Sequence, residues 1–176
     1  MKQAPDSIVR ITRRRMMLGA AALSALPGKL FAEDSPQMKQ LPATEANRTR
    51  TSLSQQIEIK ADPHRIYSAL LDAGQFASFS GAPAQIDARP GGRFTLFGGQ
   101  IEGCTLELTP DERIVQAWRP ADWEPGLYSN VRFTLKPAGG STMLTLNHSG
   151  FPEGGYDHLG SGWHEHYWEP LKKFLA

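Results

Sequence analysis

Several side chains that can bind metals lie close together near the end of this chain. His164, Glu165 and His166 are consecutive, and His158 precedes them. A zinc site built on one helix needs two histidines four residues apart, because this spacing puts both on one face. His164 and His166 are two apart, so on a helix they would point about 200° away from each other. We interpret these residues as solvated or half-buried polar groups and expect no metal and no cofactor.

His148 follows Leu144 and Leu146 at alternating positions. In a strand these three side chains lie on one face, so His148 is predicted to point toward the core or a cavity. A buried polar group needs a hydrogen-bond partner. Three roles remain open for it: a structural hydrogen bond to a residue of a terminal helix, a polar anchor for a ligand, or a general base.

Cys104 is the only cysteine in the sequence, so the chain can form no internal disulfide and no cysteine-based zinc site. It alternates with Leu106 and Leu108, which predicts that it lies on the apolar face of a strand. A buried cysteine generally behaves as a small apolar residue. No histidine or asparagine is placed by the sequence to activate it, so we do not assign it as a nucleophile.

Local patterns predict the elements that must position these residues. Alternation over residues 53–60 predicts a strand, and Asp62 and Pro63 then provide an N-cap and a first-turn proline for a short helix. A second short helix is predicted over residues 75–80. From residue 85 to residue 148 the period is two, with turns rich in glycine, which predicts about six antiparallel strands.

The end of the chain changes to helical spacing. Large apolar residues follow at intervals of four, four, four and three: Leu159, Trp163, Tyr167, Leu171 and Phe174. Pro170 is expected to kink this helix, because proline cannot donate a backbone hydrogen bond. A curved sheet must bury its concave face, and this helix is the only element large enough to cover it. The predicted fold class is therefore α+β. It has a curved antiparallel sheet of about six to seven strands on a long C-terminal helix, and two short helices after the first strand.

The first 32 residues have the features of an export signal. Six basic residues and one acidic residue occur there, and the apolar stretch Met16–Leu26 follows the arginines. This stretch is too short to span a bilayer, which needs about 20 residues, and Thr12–Leu18 resembles the twin-arginine export motif. We predict a signal peptide over residues 1–32, a flexible linker over 33–52 and a domain over 53–176. The predicted location is periplasmic or secreted.

Composition and charge limit the partners. The chain is 40% apolar and 21% charged, which is an ordinary globular balance. Its formal charge is +1. Removal of residues 1–32 takes Lys plus Arg from 19 to 13 and Asp plus Glu from 18 to 17, which leaves −4. This charge argues against binding to nucleic acid or to an anionic membrane. We also expect no membrane span in the mature form.

A series of short motifs identifies a family resemblance. The motifs are Ala82-Pro83-Ala84, Gly91-Gly92-Arg93-Phe94, Gly103, Ile114–Arg119, Trp123–Gly126, His148–Pro152 and Gly162-Trp163 with Tyr167. In this order they resemble the AHSA1 family, that of the C-terminal domain of the activator of the Hsp90 ATPase, over about residues 53–176. The resemblance implies the helix-grip fold of the START-like, Bet v 1-like SRPBCC superfamily. That superfamily includes co-chaperones, proteins that bind apolar ligands, and a few cyclases or hydrolases.

The leading functional hypothesis is non-catalytic binding of a hydrophobic or amphipathic small molecule between sheet and helix. One alternative is a protein-interaction or co-chaperone-like module in which Trp123, predicted to be exposed in a loop, contacts the partner. A third is a cyclase- or hydrolase-like enzyme, although no catalytic residue is assigned. The candidates for the cavity lining are Phe76, Phe79, Phe97, Cys104, Trp118, Phe133, His148, Trp163 and Tyr167. Because some of these have opposite strand parity, not all of them can line one cavity.

Overall fold

The computed structural model describes residues 43–176. The predicted signal peptide and the first part of the predicted linker lie outside the described residues. The elements, in chain order, are α1 (Ala43–Arg48), β1 (Ser52–Ile59), α2 (Pro63–Leu71), α3 (Ala73–Ser80), β2 (Gln85–Ile86), β3 (Arg93–Leu96), a 3₁₀ turn (Phe97–Gly99), β4 (Ile101–Thr109), β5 (Arg113–Pro120), β6 (Ser129–Ala138), β7 (Ser141–Ser149), α4 (Tyr156–Trp163), a π-helical turn (His164–Trp168) and α5 (Glu169–Leu175).

The seven strands form one antiparallel sheet in the order β1-β7-β6-β5-β4-β3-β2. The first strand therefore pairs with the last, and Leu53 lies opposite His148. The terminal helix, made of α4, the π turn and α5, covers the concave face of the sheet together with α2 and α3. The predicted α+β helix-grip fold is confirmed. Among residues 43–176, no helix is both long and apolar enough to cross a membrane.

Each of the two short helices begins at an aspartate cap, of which the sequence predicts the first, Asp62. The Asp62 carboxylate accepts a hydrogen bond from the Arg65 amide at 3.0 Å, and the Asp72 carboxylate accepts one from the Gln75 amide at 2.8 Å. Each bond satisfies an amide that has no partner within its own helix. Gly81 ends α3 in the left-handed conformation, with φ of 71°. This local chemistry orients the two helices so that Phe76 and Phe79 are buried.

The terminal helix contains a π turn just before Pro170. The Glu169 amide donates to the carbonyl of His164, five residues earlier, and Pro170, the second residue of α5, has no backbone NH to donate there. On a regular α-helix, the steps from Leu159 to Leu171 would drift about 120° around the axis. The residue added by the π turn removes most of this drift, so the apolar stripe keeps facing the sheet. The proline is therefore accommodated by a change in helical pitch.

The last position of the predicted stripe is corrected by the structure. Leu175 is buried at 3% exposure, whereas Phe174 is 37% exposed and its ring lies beside that of Phe79. The physical reason is the four-residue interval from Leu171 to Leu175, which continues the stripe set by the π turn. Phe174 therefore lies beside the stripe.

One glutamine of the edge strand binds the terminal helix at two points, in α4 and at the end of the π turn. The Gln55 Nε2 donates to the carbonyl of Gly160 at 2.9 Å, and its Oε1 accepts from the Trp168 Nε1 at 2.5 Å. Trp168 is buried at 1% exposure, although the sequence pattern does not place it on the stripe. The extra residue of the π turn brings it inward.

Part of the predicted linker is ordered. The helix α1 lies within residues 33–52, and its Asn47 side chain donates to the Asp157 carboxylate at 2.9 Å. The Gly154 amide donates to the Arg48 carbonyl at 2.8 Å, and the Arg50 guanidinium lies 4.0 Å from the centre of the Tyr156 ring. These contacts place residues 43–51, within the segment predicted as a linker, against the start of α4.

The predicted position of Cys104 is wrong. The strand β4 buries Gly103 and Thr105 instead, so Cys104 lies half-buried on the opposite face. The pairing register with β5 shifts between Thr105 and Glu107, and Leu106 is 49% exposed at this irregularity. The sequence analysis treats residues 104–108 as regular alternation, and one extra residue there reverses the faces.

Candidate ligand-binding cavity

A cavity of about 510 Å³ opens between the terminal helix and one end of the sheet. The sheet side is formed by the 3₁₀ turn, the ends of β4 and β5, and the loop that follows β5. The helix side is formed by α4 and the π turn. Five aromatic residues share the lining: Phe97, Trp118, Trp123, Trp163 and Tyr167. The volume lies within the range of small-molecule sites in proteins, about 300–1,000 Å³.

The predicted lining residues divide into two groups. Phe97, Trp118, Trp163 and Tyr167 line the cavity. The remaining candidates do not: Phe76, Phe79, Phe133 and His148 are buried in the core, and Cys104 lies on the other face of the sheet. Alternation indicates which face of a strand a residue occupies but not how far along the strand the cavity extends. The core and the cavity therefore lie on the same face of the sheet, and strand alternation does not distinguish them.

His148 belongs to a closed chain of hydrogen bonds beneath the cavity. Its Nδ1 accepts from the Trp163 Nε1 at 3.1 Å, and its Nε2 lies 2.8 Å from the Ser129 Oγ. Because an indole NH can only donate, Nδ1 carries no proton and Nε2 donates to Ser129. The Ser129 hydroxyl then donates to the Trp118 carbonyl at 2.9 Å. Among the three roles left open by the sequence, this geometry fits the structural hydrogen bond to the terminal helix.

Burial lowers the pKa of His148 to about 3, because no water is available to solvate the imidazolium. The side chain is 0% exposed and both ring nitrogens are engaged. A neutral imidazole with no free lone pair has no site for an incoming proton at neutral pH. It is therefore poorly suited to the role of general base.

Trp118 carries an unpartnered donor at the inner end of the cavity. Its ring is 5% exposed, and within residues 43–176 its Nε1 has no hydrogen-bond partner. The indole NH lies beside the Tyr167 hydroxyl and acts on its ionisation, but the two groups do not reach hydrogen-bond geometry. Burial raises the pKa of Tyr167 above its usual range. The Tyr167 hydroxyl is therefore neutral.

The mouth of the cavity is polar. Asp122, His158, Glu165 and His166 belong to it, and no lysine or arginine lines it within the part of the chain that the structure describes. Three of these residues come from the segment that the sequence analysis assigns to solvated helix positions, and they are exposed as expected. Their intervals from residue 158 are seven and eight, which puts them on one helix side next to the aromatic stripe. This spacing is the feature of the sequence that indicates the three mouth residues of the helix.

The loop after β5 is held by a cluster of charged and aromatic groups. The Arg119 Nη1 donates to the Trp123 carbonyl at 2.8 Å, and its Nε and Nη2 bind the Glu102 carboxylate at 3.0 and 2.8 Å. The Tyr128 hydroxyl also donates to Glu102, at 3.1 Å. Hydrogen bonds from Arg119 and Tyr128 hold the pKa of Glu102 below its usual range. The loop is thereby fixed at the edge of the cavity.

Trp123 is not the exposed loop residue that the sequence analysis expects. It is half-buried, packs against the core and lines the cavity. The Arg119 contact to its carbonyl fixes the backbone so that the indole turns inward. The exposed apolar groups of this loop are instead Leu127, at 39%, and Tyr128, at 40%. Among the described residues, no group of three His, Cys, Asp or Glu side chains could hold a metal ion.

The sequence profile described as "Activator of Hsp90 ATPase homolog 1-like protein" matches residues 60–176. This chain belongs to the AHSA1 family. An uncharacterized AHSA1 relative from Schizosaccharomyces pombe is 33% identical over 120 residues, which cover 68% of this chain and 36% of that protein. The human activator of 90 kDa heat shock protein ATPase homolog 1 is 28% identical over 111 residues, covering 63% of this chain and 33% of the human protein.

A solved AHSA1-like structure has the same fold. The crystal structure of an HSP90 activator from Plasmodium falciparum matches with a TM-score of 0.68 and 27% identity. The match covers 72% of this chain and 96% of that one. The chain spans about a third of the length of the curated relatives that it matches. The family and the fold follow from these matches, whereas the activity of the longer relatives reaches this chain only as a proposal.

Proposed function

We propose that this AHSA1-family protein binds a hydrophobic or amphipathic small molecule, without catalysis, in the cavity between the sheet and the terminal helix. The observation that carries the proposal is the cavity of about 510 Å³, lined by five aromatic side chains and with polar groups at its mouth. Concave sites with a mainly apolar lining and a few placed polar groups are typical of small-molecule binding.

The polar groups of the cavity favour binding over catalysis. His148 is buried beneath the cavity, with both nitrogens engaged. A cyclase- or hydrolase-like reaction would therefore have to use the mouth residues His158, Glu165 and His166. Within residues 43–176 none of these three side chains is held by a hydrogen bond from another side chain. Catalytic groups generally need such support to be fixed in a productive geometry.

The first test is native mass spectrometry of the full chain purified from the cells that make it, compared with its denatured mass. A retained adduct is expected. A Trp118→Ala variant should lose the adduct by more than its loss of stability explains, since truncating a buried tryptophan costs about 3–5 kcal/mol. Phe133→Ala is the matched control, because Phe133 is buried next to Trp163 but lies outside the lining. Equal loss of adduct in both variants would indicate that Trp118 acts only as a core residue.

A blocking variant separates binding from folding. A side chain added at Gly162 meets no atom within 4 Å, and Gly162 lines the cavity. Gly162→Leu should therefore leave the thermal unfolding midpoint unchanged or raised, because glycine is a poor helix former. The adduct should disappear, since the leucine occupies the ligand's space. A folded Gly162→Leu protein that keeps its full adduct would contradict the proposed site.

A second candidate function is interaction with an Hsp90-type ATPase. The similarity to Hsp90 activators supports it, and so do the exposed Leu127 and Tyr128 of the loop after β5. The experiment measures ATP hydrolysis by a purified Hsp90-type ATPase with and without the full chain. Leu127→Ser should abolish stimulation and keep the small-molecule adduct, because Leu127 does not line the cavity. No stimulation by the unchanged protein would exclude this function.

Export through the twin-arginine route is part of the proposal and rests on the sequence of residues 12–18. Replacing Arg13 and Arg14 by lysine keeps the charge of the segment and removes the paired arginines. We expect the unchanged chain in the periplasmic fraction and the double variant in the cytoplasmic fraction. The same distribution for both chains would rule out this route.

A further inference from the structure

We propose that the ligand of this cavity is an organic cation, with an apolar body inside and an ammonium-type head group at the mouth between Asp122 and Glu165. This inference rests on the proposed binding function and adds the charge of the ligand. It follows from two observations that are independent of the cavity's size. These are the unpaired carboxylates of the mouth and the aromatic rings that lie next to them.

The two chain segments that form the mouth are acidic. Residues 120–128 and 153–168 contain five aspartates and glutamates and no lysine or arginine. Asp122 lines the cavity from the loop after β5, and Glu165 lines it from the π turn on the helix side. Within residues 43–176 neither carboxylate has an ion-pair partner. The mouth therefore has a negative potential, which attracts cations and repels anions.

The arginine next to this loop does not neutralise the mouth. Arg119 binds the Glu102 carboxylate with two nitrogens and the Trp123 carbonyl with the third. Its side chain is 15% exposed and does not line the cavity. At a distance, a bound pair of opposite charges contributes little net potential, because the two terms nearly cancel. The charge that a ligand meets at the mouth is therefore that of the two unpaired carboxylates.

Two aromatic side chains present accessible surface beside these carboxylates. Trp123 follows Asp122 in the chain and is half-buried. Phe97 is also half-buried, and its ring centre lies 6.2 Å from that of His166, the residue after Glu165. The other three aromatic residues of the lining are almost fully buried. Aromatic faces attract organic ammonium groups, so a cationic head group at the mouth would meet aromatic surface as well as carboxylate oxygens.

Three probes of one size and shape isolate the effect of charge. They share a naphthalene body and carry trimethylammonium, tert-butyl or sulfonate at the same position, so their numbers of non-hydrogen atoms are equal. Binding to the full chain is measured by equilibrium dialysis at about pH 8, where an ordinary histidine is neutral. We expect the cation to bind about 25-fold more tightly than the anion at low salt. Each carboxylate, about 8 Å from the ligand's charge in a water-like dielectric, contributes about fivefold to this ratio.

Salt separates the electrostatic preference from the chemistry of the head groups. Raising the ionic strength from about 0.01 M to about 1 M shortens the Debye length from about 30 Å to about 3 Å. The ratio of cation affinity to anion affinity should then fall about tenfold, because the carboxylates are screened from the ligand. A ratio that is the same at both salt concentrations would contradict the proposed role of the mouth.

Two variants assign the preference to the mouth. Asp122→Asn and Glu165→Gln each remove one charge and keep the size of the side chain, and each should lower the ratio about fivefold. Glu112→Gln is the matched control, because Glu112 lies in the turn between β4 and β5, at the end of these strands away from the cavity. It should leave the ratio unchanged.

The hydrocarbon probe distinguishes failure of this inference from failure of the binding function. If the hydrocarbon binds but the anion binds as tightly as the cation, the inference is overturned and the binding function stands. The same conclusion follows if neither mouth variant changes the ratio. Binding of none of the three probes would overturn both proposals.

Discussion

Acidification should remove stability through His148 alone before the carboxylates respond. The pKa of His148 is lowered to about 3 in the folded protein, against 6.5 for the free side chain. The unfolded chain therefore binds a proton below about pH 6.5 that the folded chain does not bind. The contribution is fully present above that pH and is lost as the pH falls toward 3. The expected slope is about 1.4 kcal/mol per pH unit.

Between about pH 6.5 and about pH 4.5, the linkage predicts a loss of about 2 kcal/mol in the free energy of unfolding, because the unfolded histidine is half protonated at the upper limit. Total stabilities of domains are about 5–15 kcal/mol, so the loss is large. The measurement is urea unfolding followed by tryptophan fluorescence at a series of pH values. Stopping near pH 4.5 keeps most carboxylates ionised, which confines the effect to histidine.

His148→Gln is the informative variant, because glutamine offers a donor and an acceptor but does not titrate. It should lower stability at neutral pH by about 2 kcal/mol, through lost ring packing, and should show a much flatter pH profile than the unchanged protein. His164→Gln is the matched control, since the His164 side chain is 60% exposed. It should keep the full slope. The same slope in the His148→Gln variant would refute the assignment of the acid sensitivity to this buried imidazole.

Three further variants test the framework around the cavity. Gly103→Ala should lower the free energy of unfolding by about 3 kcal/mol or more, because its Cβ would overlap the backbone of β5. Gly162→Ala is the control, and calorimetry should show that its unfolding temperature is unchanged or raised. Thr142→Val should cost about 1–2 kcal/mol in urea unfolding, since the buried Thr142 hydroxyl donates to a backbone carbonyl at 2.7 Å. Arg119→Lys should speed amide hydrogen exchange in the loop at Trp123, because lysine cannot hold both partners; unchanged exchange would contradict that role.

Most of the fold could be predicted because its signals are local. The period of two, the glycine turns and the cap at Asp62 each fix one element without knowledge of the others. The error at Cys104 has a different origin. The register shift after Thr105 arises from pairing with β5, and the residues of β4 alone carry no mark of it. A register shift that depends on the neighbouring strand cannot be predicted from the sequence of the strand itself.

The cavity was predictable only in part, for a geometric reason. Parity correctly places Trp118, Phe133 and His148 on one face, yet only Trp118 reaches the cavity. The distinction depends on where the terminal helix departs from the sheet, which no single strand encodes. The π turn was more accessible to sequence reasoning. A run of intervals of exactly four residues is too long for a regular α-helix, and Pro170 stands where the added residue is needed.

The pairing of β1 with β7 has a consequence for how the protein is made. Strand β1 cannot pair until β7 has been synthesised, because Ser52 pairs with Ser149. At a synthesis rate of about 5–20 residues per second, this delay lasts roughly five to twenty seconds. During that time β1 is an unpaired edge on a growing chain, which favours the binding of a chaperone to it. The sheet then closes late and together with the terminal helix, so truncation at either end of the domain should abolish folding as a whole.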